Sequence, residues 1–218
     1  MNTSQSYLKV AVLVSGNGSN LQVLIDKVQS KQLPIHLVGV ISNVKEAYAI
    51  TRAQKAGIPV TVLSHTDSGK RMTMATFQRH ALEQLRAWGA ELVVLAGFMR
   101  ILSAEFIEQS PPMINLHPSL LPHYKGLDTH ARVIASGDKW HGCSVHIVTP
   151  KLDSGQVLTQ SVLEVGTHDT PEQLQKRVQV LEHRLLPWTI ALIVQGSLPL
   201  DGRTLGTTLP LPWRLIAV

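Results

Sequence analysis

The chain has 218 residues, 44% of them hydrophobic and 16% charged, with a formal net charge of +5, a pI near 9.5 and a single cysteine. This is enough chain to bury a substantial core in one large domain, and the composition is too apolar for intrinsic disorder. Cys143 alone excludes an internal disulfide framework. The polar start (Met1 to Tyr7) lacks a signal-peptide core and no apolar stretch is long enough to span a bilayer, so a cytoplasmic protein without membrane attachment is expected.

Leu8 to Val14 reads LKVAVLV, a short buried-strand pattern. It runs into a glycine turn at Ser15–Asn20 and then into an amphipathic helix ending near Gln32. A second strand is predicted over Ile35 to Ile41, and a helix over Glu46 to Ala56 that stops at Gly57. Val60 to Leu63 is a third strand, Met72 to Trp88 a helix, Glu91 to Ala96 a fourth strand and Met113 to Leu116 a fifth. Strands that are apolar throughout and alternate with helices predict an α/β, Rossmann-like, mostly parallel sheet with helices on both faces. The character changes in the C-terminal part. There Ser144 to Val148 and Gln156 to Val165 read as antiparallel strands. A capped helix follows from Thr170-Pro171 to about Gln195, with Pro187 expected to kink or interrupt it. We expect one domain, 1–218, with an N-terminal lobe over 1–110, a C-terminal lobe over 111–195 and an apolar Pro-containing tail over 196–218.

The turn at Gly16–Asn20 lies between a first strand and a first helix, where backbone N–H groups bind anions. A dinucleotide fingerprint fails here. Leu21 stands where the third glycine is needed, and Ser42 and Asn43 where an acid should close the second strand. A Walker loop fails as well, because no Gly-Lys-Ser/Thr follows. The turn therefore suits a phosphomonoester, with Gly18, Ser19 and Asn20 as candidate ligands. A purely structural turn with a capped helix has the same pattern.

Asn115 and His117 are two residues apart at the end of a strand, so both side chains point to one side. An amide donor beside an imidazole can stabilise an oxyanion and move a proton. An irregular loop follows from Pro118 to Asp128, with Gly126 as a candidate hinge, and Asp153 sits in a later polar loop. A carboxylate that reached His117 would raise its pKa and favour the imidazolium. No metal is expected. The ten histidines include no pair at i, i+4 on a helix beside an acid, and His141 and His146 are spaced for opposite faces of a strand. Cys143 reads as a buried apolar residue rather than a nucleophile, and no G-x-S-x-G elbow exists. Gly97 to Leu102 is an apolar segment with one Arg, able to line a flat ligand or simply to connect a strand to a helix.

Four stretches together carry a family resemblance: VLVSGNGSNLQ at 12–22, LAGFMRILS at 95–103, INLHPSLLPHYKGLDTH at 114–130 and HGCSVHIVTPKLDSG at 141–155. The chain resembles the phosphoribosylglycinamide formyltransferases, folate-dependent enzymes of purine synthesis, from Val10 to about Pro187. The resemblance implies the formyltransferase fold and formyl transfer from 10-formyltetrahydrofolate, as co-substrate, to the amine of glycinamide ribonucleotide. It implies a catalytic trio of Asn115, His117 and Asp153, a phosphate loop at Gly18, Ser19 and Asn20, and a glycinamide contact at Glu182. Folate binding falls to Met99, Arg100, Ile101 and Leu102, with Asn115. One departure concerns the folate tail. The family often has an Arg three residues before the third-helix aromatic, but Met74 stands there before Phe77, leaving Arg71 or Lys70 as the substitute.

The resemblance further implies direct attack through a tetrahedral intermediate, with small-molecule substrates, no metal, no nucleic acid, and a monomer or homodimer. Two relatives share the formyl-folate core: a deformylase with an extra N-terminal domain and a methionyl-tRNA formyltransferase with a C-terminal one. The extent of this chain around the core argues against both. The remaining alternative is a basic α/β binding module without chemistry. It is disfavoured by 5% aromatics and by the lack of any Lys/Arg run longer than two.

Overall fold

The structure is a computed structural model. It describes residues 7–64, 66–67, 70–198, 200 and 213–216, the side chains of 66–67, 70–71 and 213–216 excepted. The chain separates into two compact units, Met1–Met113 and Ile114–Val218.

The first unit is built as the apolar runs predict. Strands β1 (Leu8–Val14), β2 (Ile35–Ser42), β3 (Val60–Val62) and a later β6 (Leu92–Leu95) pair in parallel in the order β6-β1-β2-β3. Between them lie helices α1 (Ser19–Gln29), α2 (Tyr48–Lys55) and α3 (Met74–Ala87) and a small antiparallel pair, β4 (Thr66–Asp67) with β5 (Lys70–Arg71); a last helix, α4 (Ala104–Gln109), follows β6. Val10 to Val14 have no exposed surface. Successive strand side chains point to opposite faces, so both faces of β1 are covered, as in parallel α/β sheets. Helices α3 and α4 start at side-chain caps. Thr73 Oγ1 accepts from the Thr76 N–H and Ser103 Oγ from the Phe106 N–H. The short α4 has no counterpart in the predicted elements: its six residues are too few for a helical period to show.

The second unit begins as β7 (Met113–His117) proceeds and continues with α5 (Thr129–Ser136), β8 (Trp140–Ile147), β9 (Val157–Glu164), α6 (Pro171–Val194) and β10 (Trp213–Ile216). The β7–β8 and β8–β9 pairs are antiparallel, the change of character expected there, and β10 adds in parallel to β9. The apolar end of the chain therefore contributes a strand. The rest of the tail beyond residue 200 lies outside the described residues.

Of the two effects expected of Pro187, a kink or an interruption, the second does not occur. Pro187 does not interrupt α6, which runs unbroken for 24 residues from a capping box formed by Thr170 and Gln173. An internal proline costs about 3 kcal/mol. Around it Leu185, Leu186 and Ile190 are fully buried as α6 packs on β8 and β9, each contributing roughly 1.5–3 kcal/mol. Packing outweighs the lost hydrogen bond.

Candidate active site

In the first unit the turn after β1 tightens at Gly18, which has φ 72 and precedes the first residue of α1. The position tolerates no side chain, because a Cβ would lie 2.6 Å from the Ala49 Cβ. Ser19 and Asn20 form the opening of α1 and are half-buried. The amides of a helix's first turn have no carbonyl partner within the helix. They point off its N-terminus, where they and the helix dipole attract an anion. Arg52 on α2 braces the turn. Its Nε donates to the Asn17 carbonyl at 2.8 Å and its Nη2 to the Asn17 side-chain oxygen at 2.9 Å.

Also in this unit, the segment after β6 is irregular. Met99 N–H donates to Ser15 Oγ at 2.8 Å, so the segment is tied to the start of the glycine turn. Met99 and Ile101 are each 68% exposed, while Leu102 is buried. Two large apolar side chains left open on one short segment suit a flat apolar ligand. The Arg100 guanidinium lies over the Phe77 ring at 5.6 Å, and Phe77 stacks on Phe98.

In the second unit, β7 ends at His117 and brings Asn115 and His117 onto one face. Its antiparallel partner β8 places His146 directly across from Asn115 and Ser144 across from His117. Residues paired across two strands share a face, so His146 joins the same group. Asn115 Nδ2 lies 3.1 Å from His146 Nε2, and His146 Nδ1 donates to the Ile147 carbonyl at 2.9 Å. The contact holds the Asn115 amide in place beside His146, and a side-chain amide has two hydrogens to donate.

Asp153 completes the cluster. Its Oδ2 is 3.5 Å from His117 Nδ1 and its Oδ1 3.6 Å from His146 Nε2. Its backbone is left-handed, φ 45, an arrangement that costs on the order of 1–3 kcal/mol and tends to occur at functional sites. Behind it Gly155 packs so closely on the Ile147 carbonyl that a Cβ would sit 1.8 Å from that oxygen, which fixes where the loop re-enters the sheet. Gly126 N–H donates to Asp153 Oδ2 at 2.9 Å, and the Tyr124 carbonyl lies 2.9 Å from His117 Nε2. A carbonyl can only accept, so Nε2 of His117 carries its hydrogen and Nδ1 turns toward the carboxylate.

His117 is 6% exposed and Asp153 8%. Burial is the largest influence on the His117 ring and holds its pKa below the ordinary histidine value. The Tyr124 carbonyl and the Asp153 carboxylate act in the opposite sense and do not overcome it. This corrects the expected imidazolium: Asp153 does raise the pKa, but desolvation of an enclosed ring wins. For Asp153 itself, burial pushes the carboxyl up. His146, the Gly126 amide and His117 together outweigh that and hold it below the usual carboxylate range. Both members of the pair are thus held below their ordinary pKa values. A proton arriving at Nδ1 would meet a negative partner already in place.

The formyl transferase family profile matches residues 8–190. The chain belongs to the formyl transferase family. It is 38% identical over 206 residues to the phosphoribosylglycinamide formyltransferase of Escherichia coli (strain K12), covering 91% of this chain and 96% of that one. It is 41% identical over 198 residues to the bovine (Bos taurus) trifunctional purine biosynthetic protein adenosine-3, covering 89% of this chain but only 19% of that much longer protein. Among solved structures, glycinamide ribonucleotide transformylase 1 from Symbiobacterium toebii superimposes with a TM-score of 0.83 at 35% identity, covering 90% and 92% of the two chains. The phosphoribosylglycinamide formyltransferase of Coxiella burnetii gives 0.82 at 42% identity, covering 88% and 89%.

Within this family chain, the structure brings Asn115, His117 and Asp153 into one cluster in the second unit. Gly18, Ser19 and Asn20 form one continuous helix start in the first, and Met99 to Leu102 one exposed segment. Glu182 lies half-buried on α6, near enough to Cys143 that, after burial, its charge helps to push that thiol up. The side chains of Arg71 and Lys70 lie outside the described residues. Met74 opens α3 half-buried. Among the described residues no group of three or more His, Cys, Asp or Glu is arranged to hold a metal, and no helix is long and apolar enough to cross a membrane.

Sequence reasoning missed His146, which it met only as a histidine spaced wrongly for metal. The signal was its even spacing from Ser144 on a strand that pairs with β7, and only the register reveals it. The Tyr124 carbonyl and the Gly126 amide were missed for a simpler reason: backbone groups carry no residue-type signal.

Proposed function

We propose that this chain is a phosphoribosylglycinamide formyltransferase, moving a formyl group from 10-formyltetrahydrofolate to the primary amine of glycinamide ribonucleotide. The observation that carries the reading is the Asn115–His146–Asp153–His117 cluster in a chain whose relatives of full length bear that name. The Gly18–Asn20 helix start takes the substrate phosphate. Glu182 contacts the glycinamide, and Met99, Arg100, Ile101 and Leu102, with Asn115, hold the folate. Arg71 or Lys70 serves the folate tail. The setting is cytoplasmic, and the partners are small molecules, without a metal, nucleic acid or membrane.

In the reaction the amine nitrogen attacks the formyl carbon, a C–N bond forms, and the carbonyl π pair moves onto oxygen. The side-chain amide of Asn115 donates to that oxyanion. The amine's proton passes to the His117–Asp153 pair. The imidazolium so formed is balanced by the carboxylate and adds positive charge beside the oxyanion. When the bond to the folate nitrogen breaks, the proton goes to that nitrogen, and formyl glycinamide ribonucleotide and tetrahydrofolate leave. No covalent enzyme intermediate is required, and holding two substrates in register supplies much of the acceleration.

The test is to mix the protein with 10-formyltetrahydrofolate, with and without glycinamide ribonucleotide, and to follow loss of the formyl group. Loss that depends on the acceptor is the expected result. Formate release without acceptor would make the protein a deformylase, and no loss at all would make it a binding module.

A further inference from the structure

Arg132 lies outside every motif that carries the family resemblance, on the fourth residue of α5. One of its terminal nitrogens, Nη1, donates to two carbonyls at once, Lys125 at 2.6 Å and Leu127 at 3.2 Å. These are the residues on either side of Gly126. The guanidinium also lies over the Tyr124 ring at 5.5 Å, and the Tyr124 hydroxyl is fastened to Ser136 at the far end of α5 by a 2.6 Å hydrogen bond and to Asp138 beyond it. Residues 124 to 127 are thereby gripped by one helix along their length.

That short run makes the two backbone contacts on which the catalytic pair depends. The Tyr124 carbonyl fixes the hydrogen of His117 on Nε2, and the Gly126 amide holds the very Asp153 oxygen that faces His117 Nδ1. A third tie, Lys125 Nζ to Ser154 Oγ at 2.6 Å, joins the same run to the Asp153 loop. Tyr124 and Asp128 both have left-handed backbones, with φ 55 and 56. Two non-glycine residues held in this conformation, one in the run and one just after it, keep it only when their surroundings over-determine it.

We propose that Arg132 is a positioning residue for formyl transfer: its planar fork clamps the 124–127 run so that the Tyr124 carbonyl and the Gly126 amide hold His117 and Asp153 in register. The inference rests on the formyltransferase reading for its kinetic consequence but not for its structural one. A lysine is not equivalent, because an ammonium keeps the charge but lacks a planar face to lie over Tyr124 and hydrogens held in a fixed plane. Charge and clamp are therefore separable.

The test compares Arg132→Met and Arg132→Lys with the parent by kinetics and by 15N NMR of the histidine rings. In the parent, neutral His117 shows the Nε2–H tautomer. In Arg132→Met the tautomers mix and kcat falls by about 10–100-fold, as expected of a small misplacement of reacting groups, while KM for glycinamide ribonucleotide stays within about twofold. Arg132→Lys shows the same tautomer mixing to a smaller degree. The proposal is overturned if Arg132→Met keeps both the parent tautomer and its kcat. It is equally overturned if Arg132→Lys matches the parent and Arg132→Met differs only in ring pKa, which would reduce Arg132 to a nearby charge. Thermal unfolding of both variants checks folding, and if Arg132→Met does not fold, mixed tautomers in Arg132→Lys alone carry the decision. The NMR readout needs no substrate: a parent without formyl transfer would defeat the functional reading and leave the clamp testable.

Discussion

Replacing Asp153 by Asn removes one charge and little else. The new side-chain oxygen can still accept the Gly126 N–H that Asp153 accepts at 2.9 Å, so the loop keeps its main tether. What is lost is the attraction between a carboxylate and the imidazolium formed during the reaction. At the 3.5 Å separation of His117 Nδ1 and Asp153 Oδ2, Coulomb's law with an effective dielectric constant of ~20 gives about 5 kcal/mol as an upper figure. Relaxation of the neutral site trims this, and the expected loss in kcat is about 10²–10³-fold. The phosphate contacts proposed above belong to the glycine turn of the first unit, so KM for glycinamide ribonucleotide should change by less than about threefold. Steady-state formyl transfer at saturating 10-formyltetrahydrofolate measures both. A second readout is the His117 ring itself. Asp153 raises its pKa, so the variant must lower it further, which a 15N NMR titration detects. A variant with kcat within about threefold of the parent would refute the reasoning, since no charge partner would then be needed.

Asn115→Ala removes the oxyanion donor and should cost about 3–4 kcal/mol, or roughly 10²–10³ in kcat, with substrate binding measured by calorimetry little changed. Gly18→Ala forces a Cβ to within 2.6 Å of Ala49 at a left-handed φ of 72; it should destabilise the fold by about 2–4 kcal/mol in urea unfolding and raise KM for the ribonucleotide more than for the folate. Stability should also depend on pH through His141. Burial, with His130 and His117 nearby, lowers its pKa from 6.5 to about 4, so the folded state binds fewer protons than the unfolded one between those values. The contribution of the neutral ring is complete above 6.5 and is lost as pH falls towards 4, up to about 3 kcal/mol. His141→Asn should flatten the Tm profile across that range, and an unchanged slope would assign the pH dependence elsewhere.

Residue types and short spacings carried much of the fold. Leu8–Val14 and Leu92–Leu95 are strands where apolar runs predicted them, and the change to antiparallel pairing after β7 follows the altered patterning. Where local rules and packing disagreed, packing won. Pro187 should disturb α6, and its buried neighbours keep the helix whole. The short α4 and α5 and the strand at Trp213–Ile216 left too little period, or too many prolines nearby, to be read locally.

The sequence by itself determined the chemistry available: an amide and an imidazole two residues apart at a strand end, a glycine turn opening a helix, and an acid in a later loop. Those facts depend only on alternation along a strand and on what glycine permits. Tertiary structure decided how the groups act together. The β7–β8 register brought in His146, which holds the Asn115 amide. The 124–127 run fixed the His117 tautomer with a backbone carbonyl. Burial lowered the pKa of that ring against the pull of Asp153. Register, backbone contacts and desolvation all depend on residues distant in the chain, which is why local sequence could supply the participants and not their arrangement.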